Sequence, residues 1–243
     1  QNPTRFIVMK KFNHVGPASE LQELKTQNVD GQRFYQAPSG KWLPSVTTVV
    51  GKQSIDGIRK WEKKIGLLKA EKIRRASAWR GTQYHTIVEC YLNNEPEKIE
   101  KSEGLPSFLF GASREVLDRI DNIHLLEAPL YSTDLGIAGR VDCIAEFDGE
   151  LAIIDFKTTN SIKKVEWLEK YFVQESAYAY MYYERTGIEV DKLVTLSVAE
   201  NGETQVEQRY DKSPYVDTLC EWIKDFKMSV LTSWAVEQSG VTL

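Results

Sequence analysis

The chain has 243 residues, 42% hydrophobic and 27% charged, the proportions of an ordinary globular protein long enough to bury a full core. No apolar run reaches the roughly 20 residues of a membrane helix, and the opening QNPTRFIVMKKF lacks the apolar core of a signal peptide, so an intracellular protein is expected. Cys90, Cys143 and Cys220 are odd in number and far apart, which suggests neither a disulfide framework nor a zinc site. The net charge of −4 gives no global sign of a polyanion partner. Ten basic and three acidic residues between Lys52 and Arg80 nevertheless make that stretch +7 and leave −11 for the rest. Such a stretch is either a local polyanion-binding surface or a solvated helix face.

In chain order, residues 5 to 43 read as short strands and turns, punctuated by Asp30-Gly31 and Pro38-Ser39-Gly40. Ser45 to Val50 is ambiguous: its β-branched run favours a strand, whereas Pro44-Ser45 can open a helix. A helical pattern runs from Asp56 to Asn93, with breaks expected near Gly66 and Ser77, and stops at Asn93-Asn94 before Pro96. After a polar loop, Pro106 to Asn122 reads as another helix. Three strands follow, Leu125 to Ser132, Ile137 to Phe147 and Glu150 to Thr158, and then a helix from Lys163 to Arg185 that ends at Gly187. Lys192 to Ala199 and Glu203 to Gln208 flank the hairpin signal Asn201-Gly202, and Ser213-Pro214 opens a last helix to about Glu237. This order predicts an α/β fold with a central mixed sheet flanked by helices. The whole of 1–243 is expected to be one domain: a β-rich segment over 1–43, a helical region over 44–123, and a sheet core with C-terminal helices over 124–243.

The chemistry concentrates in GRVDCIAEFDGELAIIDFKTT, residues 139 to 159. A tight turn at Asp148-Gly149 pairs Phe147 with Glu150, and an unbroken register then sets Asp142 directly opposite Asp155. Lys157 shares the face of Asp155, because side chains alternate along a strand. Ile144, Leu151 and Ile153 fall on that face, and Val141, Cys143, Ala145, Ala152, Ile154 and Phe156 on the other. Both faces are thus apolar, so the pair belongs in the middle of a covered sheet. Two carboxylates there are costly without a compensating cation, which points to a metal site. Taken singly, each of Asp142, Asp155 and Lys157 is more readily a solvated surface residue, and the joint pattern on a buried hairpin reverses that preference.

The segment resembles the core motif of the PD-(D/E)xK nucleases, specifically their RecB-like exonuclease branch. Arg80-Gly81-Thr82 with His85 and Glu89 matches the branch's helical histidine motif, Gln174 with Tyr178 its downstream helix motif, and Pro44-Ser45-Val46-Thr47 its PSVT motif, which favours the helix reading there. Val141 stands where the class name has proline. The resemblance implies a restriction-endonuclease-like core and hydrolysis of DNA phosphodiesters. It implies a Mg²⁺ or Mn²⁺ ion held by His85, Asp142, Asp155 and the carbonyl of Phe156, with Lys157 orienting water and Gln174 in the catalytic set. Glu89 then either joins the ligands or orients His85, Tyr178 either borders the site or packs in the core, and Ser45, Thr158 and Arg80 stand close by. The iron-sulfur cluster of some relatives needs four thiolates and is not expected from three cysteines.

The expected partner is DNA, single-stranded or with free ends, and no membrane. The helices before His85 are candidates for an arch over the strand, with Lys60, Lys63, Lys64, Arg74 and Arg75 on phosphates and Trp61 and Trp79 either stacking on bases or lying in the core. The compartment implied is the cytoplasm of a bacterial or phage-infected cell, or an organelle matrix. A duplex-resecting or structure-specific nuclease and a non-catalytic nucleic-acid-binding module are the competing readings. Intact Asp142, Asp155 and Lys157 speak against the second of these.

Overall fold

The computed structural model describes residues 10–16, 21–99 and 102–239. The parts of the N-terminal segment before residue 10 and at 17–20 lie outside it. A small antiparallel sheet comes first, formed by β1 (Lys25–Val29), β2 (Gln32–Gln36) and β3 (Trp42–Pro44). Its first turn is Asp30-Gly31, both at positive φ (49° and 78°), the backbone a two-residue hairpin requires. The Ser45 ambiguity resolves as a helix. Ser45 Oγ accepts from the Thr48 N–H at 2.9 Å and caps α1 (Val46–Lys52), whose Val46, Val49 and Val50 are buried.

The next helices are α2 (Ile55–Ile65) and α3 (Leu67–Leu92), joined at Gly66 with φ 89°. The expected break near Ser77 does not occur. Ala76 and Ala78 flank it, and a serine inside a helix costs only about 0.5 kcal/mol relative to alanine, which its strongly helical neighbours absorb. No residue of α2 is buried. After the short α4 (Pro96–Ile99), α5 (Gly104–Leu117) starts earlier and ends sooner than expected, because β4 (Ile120–Ser132) already begins at Ile120.

The main sheet has five strands in sequence order: β4, β5 (Ile137–Phe147), β6 (Glu150–Thr159), β7 (Lys192–Ala199) and β8 (Thr204–Arg209). Only β6 and β7 are parallel, and α6 (Glu169–Thr186) makes the crossover between them. This is the expected α/β architecture with a mixed sheet. Helix α6 ends at Gly187 in the left-handed conformation, φ 73°. The last helix, α7 (Ser213–Ser239), packs on α6.

The sheet separates two cores. On one side Ile144, Ile153 and Leu193 pack with Phe172, Ala177 and Tyr182 of α6, together with α1 and α7. On the other, Cys143, Ala145, Ile154 and Phe156 pack under Tyr84, Tyr91 and Leu109 of α3 and α5. Val141 was expected on the side of Cys143 but packs with Ile144 and Ile153. The alternation of β5 is interrupted at Asp142, opposite a distorted stretch of β4 where Glu127 has φ 44°. That interruption creates the site.

Candidate active site

The β5–β6 hairpin turns at Asp148-Gly149 as expected, and its register runs from Phe147–Glu150 to Cys143–Ile154. It stops there. One step further the expected Asp142–Asp155 pairing is absent from the ladder. The Asp142 carboxylate instead accepts the Phe156 backbone N–H at 2.9 Å, taking up a donor the strand partner would otherwise satisfy. The two acids are neighbours along the hairpin but serve different halves of the site.

Asp155 belongs to the half under α6. It is 3% exposed, and its Oδ1 accepts from Lys157 Nζ at 2.6 Å and from Gln174 Nε2 at 3.1 Å. Its Oδ2 lies 2.5 Å from the same ammonium yet takes no directed hydrogen bond. Burial pushes the Asp155 carboxyl up to about 6 despite the opposing pull of Lys157. For Lys157, burial would lower the ammonium, but the charges of Asp155 and Asp142 outweigh it and hold it above its ordinary value. Tyr171 stacks beneath that ammonium at 5.1 Å.

The other half forms under α3. His85 Nε2 is 2.9 Å from the Phe156 carbonyl oxygen, and Nδ1 is 3.4 Å from Glu127 Oε1 and 3.8 Å from Asp142 Oδ1. Burial would lower the imidazole, but the Asp142 charge and the Glu127 hydrogen bond reverse that and push it up to about 9. Ligand atoms of His85, Glu127 and Asp142 all lie within 4.8 Å of one another, and the Phe156 carbonyl oxygen lies against His85 Nε2. Four oxygen and nitrogen donors so arranged, beside a buried Asp155 oxygen without a directed hydrogen bond, fit a hard divalent cation.

Both halves open into one cavity of about 430 Å³, which Glu89, Tyr178, Gly81, Arg33 and Thr47 also line. Of the residues singled out from sequence, His85, Asp142, Lys157, Gln174, Glu89, Tyr178 and Ser45 line this cavity, and Asp155 lies just behind it. Tyr178 both packs in the core and lines the cavity. Its ring lies against Gly139, where a Cβ would stand 2.8 Å from the hydroxyl, so only glycine fits there. Arg80 and Thr158 do not line the cavity. They bond to each other at 3.2 Å, and Arg80 also pairs with Glu200, so together they tie α3 to the end of β6. Of the expected phosphate contacts, Arg74 and Arg75 pair with Glu62 and Glu71. Lys60, Lys63 and Lys64 are exposed without an ion pair among the described residues.

Two residues escaped the sequence reading. Glu127, rather than Glu89, contacts His85. Closing the β4–β5 turn from Ser132 to Ile137 would have set Glu127 opposite Asp142, so a signal was present. Glu175 is fully buried on α6, takes a hydrogen bond from Thr195 at 2.5 Å, and has its carboxyl raised well above the ordinary range by burial and then by Asp155. Thr195 is the register partner of Asp155 on the neighbouring strand. Nothing in the local sequence marks Glu175 as buried.

A model of the PD-(D/E)XK nuclease superfamily matches residues 53–239, which span both halves of this site. The chain belongs to that superfamily. Its members use divalent metals. The mitochondrial genome maintenance exonuclease 1 of Homo sapiens is 27% identical over 130 residues, half of this chain and 38% of that protein. The Xenopus tropicalis protein of the same name is 33% identical over 85 residues, 35% of this chain and 24% of its own. The matched stretches are thus well under half the length of these relatives. A solved Eubacterium rectale protein, provisionally named an exonuclease, aligns over 68% of this chain and 69% of its own with a TM-score of 0.43 and 12% identity.

Proposed function

We propose that the chain is a metal-dependent DNA exonuclease that hydrolyses phosphodiesters, with single-stranded DNA or free ends as its preferred substrate. The observation that carries this reading is the convergence of His85, Glu127, Asp142 and the Phe156 carbonyl with the Asp155–Lys157–Gln174 cluster around one open cavity. His85, Asp142, Asp155 and the Phe156 carbonyl would hold Mg²⁺ or Mn²⁺, with Glu127 setting the orientation of His85 through its Nδ1. When bound, the ion supplies Lewis acidity to the phosphate and to the attacking water. Lys157 directs that water in line with the scissile bond and offsets charge as the water oxygen bonds to phosphorus and the bond to the leaving oxygen breaks. Gln174 holds Asp155, and with it the Lys157 ammonium, in place. No helix among the described residues is long and apolar enough to cross a membrane, and the expected intracellular compartment remains part of this proposal.

The deciding experiment compares labelled linear and circular, single- and double-stranded DNA with Mg²⁺, Mn²⁺ or chelator. Degradation of linear single strands in metal alone is the expected result. Cleavage of closed circles would reject an exonuclease, and equal rates on blunt duplex and single strands would favour a duplex-resecting enzyme. Binding without hydrolysis in any metal would favour a binding module.

Replacing Glu127 with alanine should weaken Mn²⁺ binding by about 10- to 100-fold while leaving the fold intact, the usual result of removing a carboxylate that orients a ligating histidine. Calorimetry with Mn²⁺ and circular dichroism measure both, and an unchanged affinity would remove Glu127 from the site.

The same reading makes α2 and the first turns of α3 the arch over the strand, with the ammonium groups of Lys60, Lys63 and Lys64 on phosphates and Trp79, 58% exposed, as a stacking platform. Reversing the three lysines to glutamate should lower affinity for single-stranded DNA and flatten its salt dependence by about 2 units in log–log slope. Titrations at several salt concentrations read this directly, and equal affinity at low salt would dismiss the arch.

A further inference from the structure

We propose that a second groove, walled by the β1–β2 hairpin, α1, the start of α2 and α7, is a subsite for the sugar-phosphate backbone of a single strand whose scissile bond lies at the ion site. The proposal rests on the hydrolytic reading above and extends it by naming where the rest of the strand lies. The groove is a cavity of about 770 Å³, larger than the 430 Å³ of the site itself, and the two share Arg33 and Thr47 as common wall. The two cavities therefore adjoin along these two residues.

Helix α1 sets the distance. Its capped end at Ser45 lies at the site and its other end, Lys52, at the groove. Seven residues of helix rise about 10 Å, the length of roughly three nucleotides at the 3.4 Å spacing of a stacked strand.

The lining chemistry selects the ligand. Arg33 and Arg59 are exposed and make no ion pair among the described residues. Lys52 donates to the Asp225 carbonyl at 2.6 Å, a neutral partner that leaves its charge uncompensated. Against these three cations stands one acid, Asp30. Gln32 adds an amide donor, the Thr47 and Thr48 hydroxyls being spent on Ser45 and the Arg33 carbonyl, and Phe226 is the one aromatic side chain of the wall, so the groove offers phosphate contacts and no row of stacking platforms. That pattern suits a backbone held without regard to sequence and does not suit an apolar peptide or helix.

The test varies substrate length and uses Arg59, which lines the groove and not the site. Parent and Arg59→Glu are assayed with Mn²⁺ on a trinucleotide and on a single-stranded 12-mer. The expected result is a loss of about tenfold in kcat/KM on the 12-mer with the trinucleotide rate unchanged, and a salt slope for 12-mer binding that falls by about 0.7 in Arg59→Gln, the share of one phosphate contact on a single strand. Equal effects on both lengths, or no effect on either with an unchanged slope, would overturn the groove. If the parent cleaves neither substrate the hydrolytic reading fails, and the salt slope from anisotropy of the labelled 12-mer still decides the groove independently.

Discussion

Replacing Lys157 with alanine should abolish most cleavage, by about 10²- to 10³-fold in single-turnover rate, while leaving divalent-ion affinity within a few-fold of the parent. The ammonium touches both oxygens of Asp155 yet supplies no ligand atom, so on the proposed reading its removal takes away the charge assigned to the reacting phosphate and leaves His85, Glu127, Asp142 and the Phe156 carbonyl where they are. The carboxylate it vacates becomes freer to meet a cation, so metal affinity has no reason to fall. DNA binding should also persist, because phosphate contacts far from the scissile bond supply most of it. Calorimetry with Mn²⁺ beside a single-turnover assay separates the two effects. Parent-like cleavage would refute the assignment of Lys157.

Asp155→Asn should fail in a different way. Shape and size are kept, and the Gln174 amide can still meet the remaining carbonyl oxygen, but the negative charge beneath Lys157 is gone. The buried ammonium then has Asp142 as its nearest compensating charge, and the ion loses one anionic ligand at the same time. Metal affinity and cleavage should fall together, metal affinity on the order of 10²-fold. His85→Ala should lie between the two variants, since excess Mn²⁺ partly refills a site missing one neutral ligand. If metal affinity is unchanged in Asp155→Asn while cleavage is lost, Asp155 acts only through Lys157.

Legibility tracked how locally each feature is encoded. The hairpin at Asp148-Gly149 and the end of α6 at Gly187 depend on backbone conformations that few residue types tolerate, so their positions could be read directly, whereas the turn expected at Asn201-Gly202 is one residue longer, with Val198 paired to Thr204 and only Gly202 at positive φ. The boundary between α5 and β4 could not. Leu117, Ile120 and Ile123 recur every three residues, a helical spacing, yet the chain changes to strand at Ile120 with no glycine or proline to mark it. That Asp155 and Lys157 share a face near Asp142 was visible from the tight turn and strand alternation, and Gln174, which bonds Asp155, was marked only by the family resemblance. The exact pairing of the two acids was not visible, since the ladder breaks where Asp142 takes the Phe156 N–H and Glu127 adopts a positive φ. Such breaks are tertiary: they arise from what the opposite strand does, and period-two alternation carries no trace of them.

Helix α2 buries none of its side chains, and among the main elements of the fold it leans chiefly on α3 across Gly66. Substitution of its outward residues should therefore cost within about 0.5 kcal/mol of folding free energy, as for other surface positions, whereas a change at Gly139 or Asp155 disturbs packed neighbours. On the proposed reading, capture of substrate and integrity of the fold fall to separable parts of the chain. The outward residues of α2 can then be rewritten, by selection or by design, to alter which nucleic acids are admitted, while half-buried Trp61, Glu62 and Ile65 keep the helix seated and the hairpin of Asp142 and Asp155 stays in register.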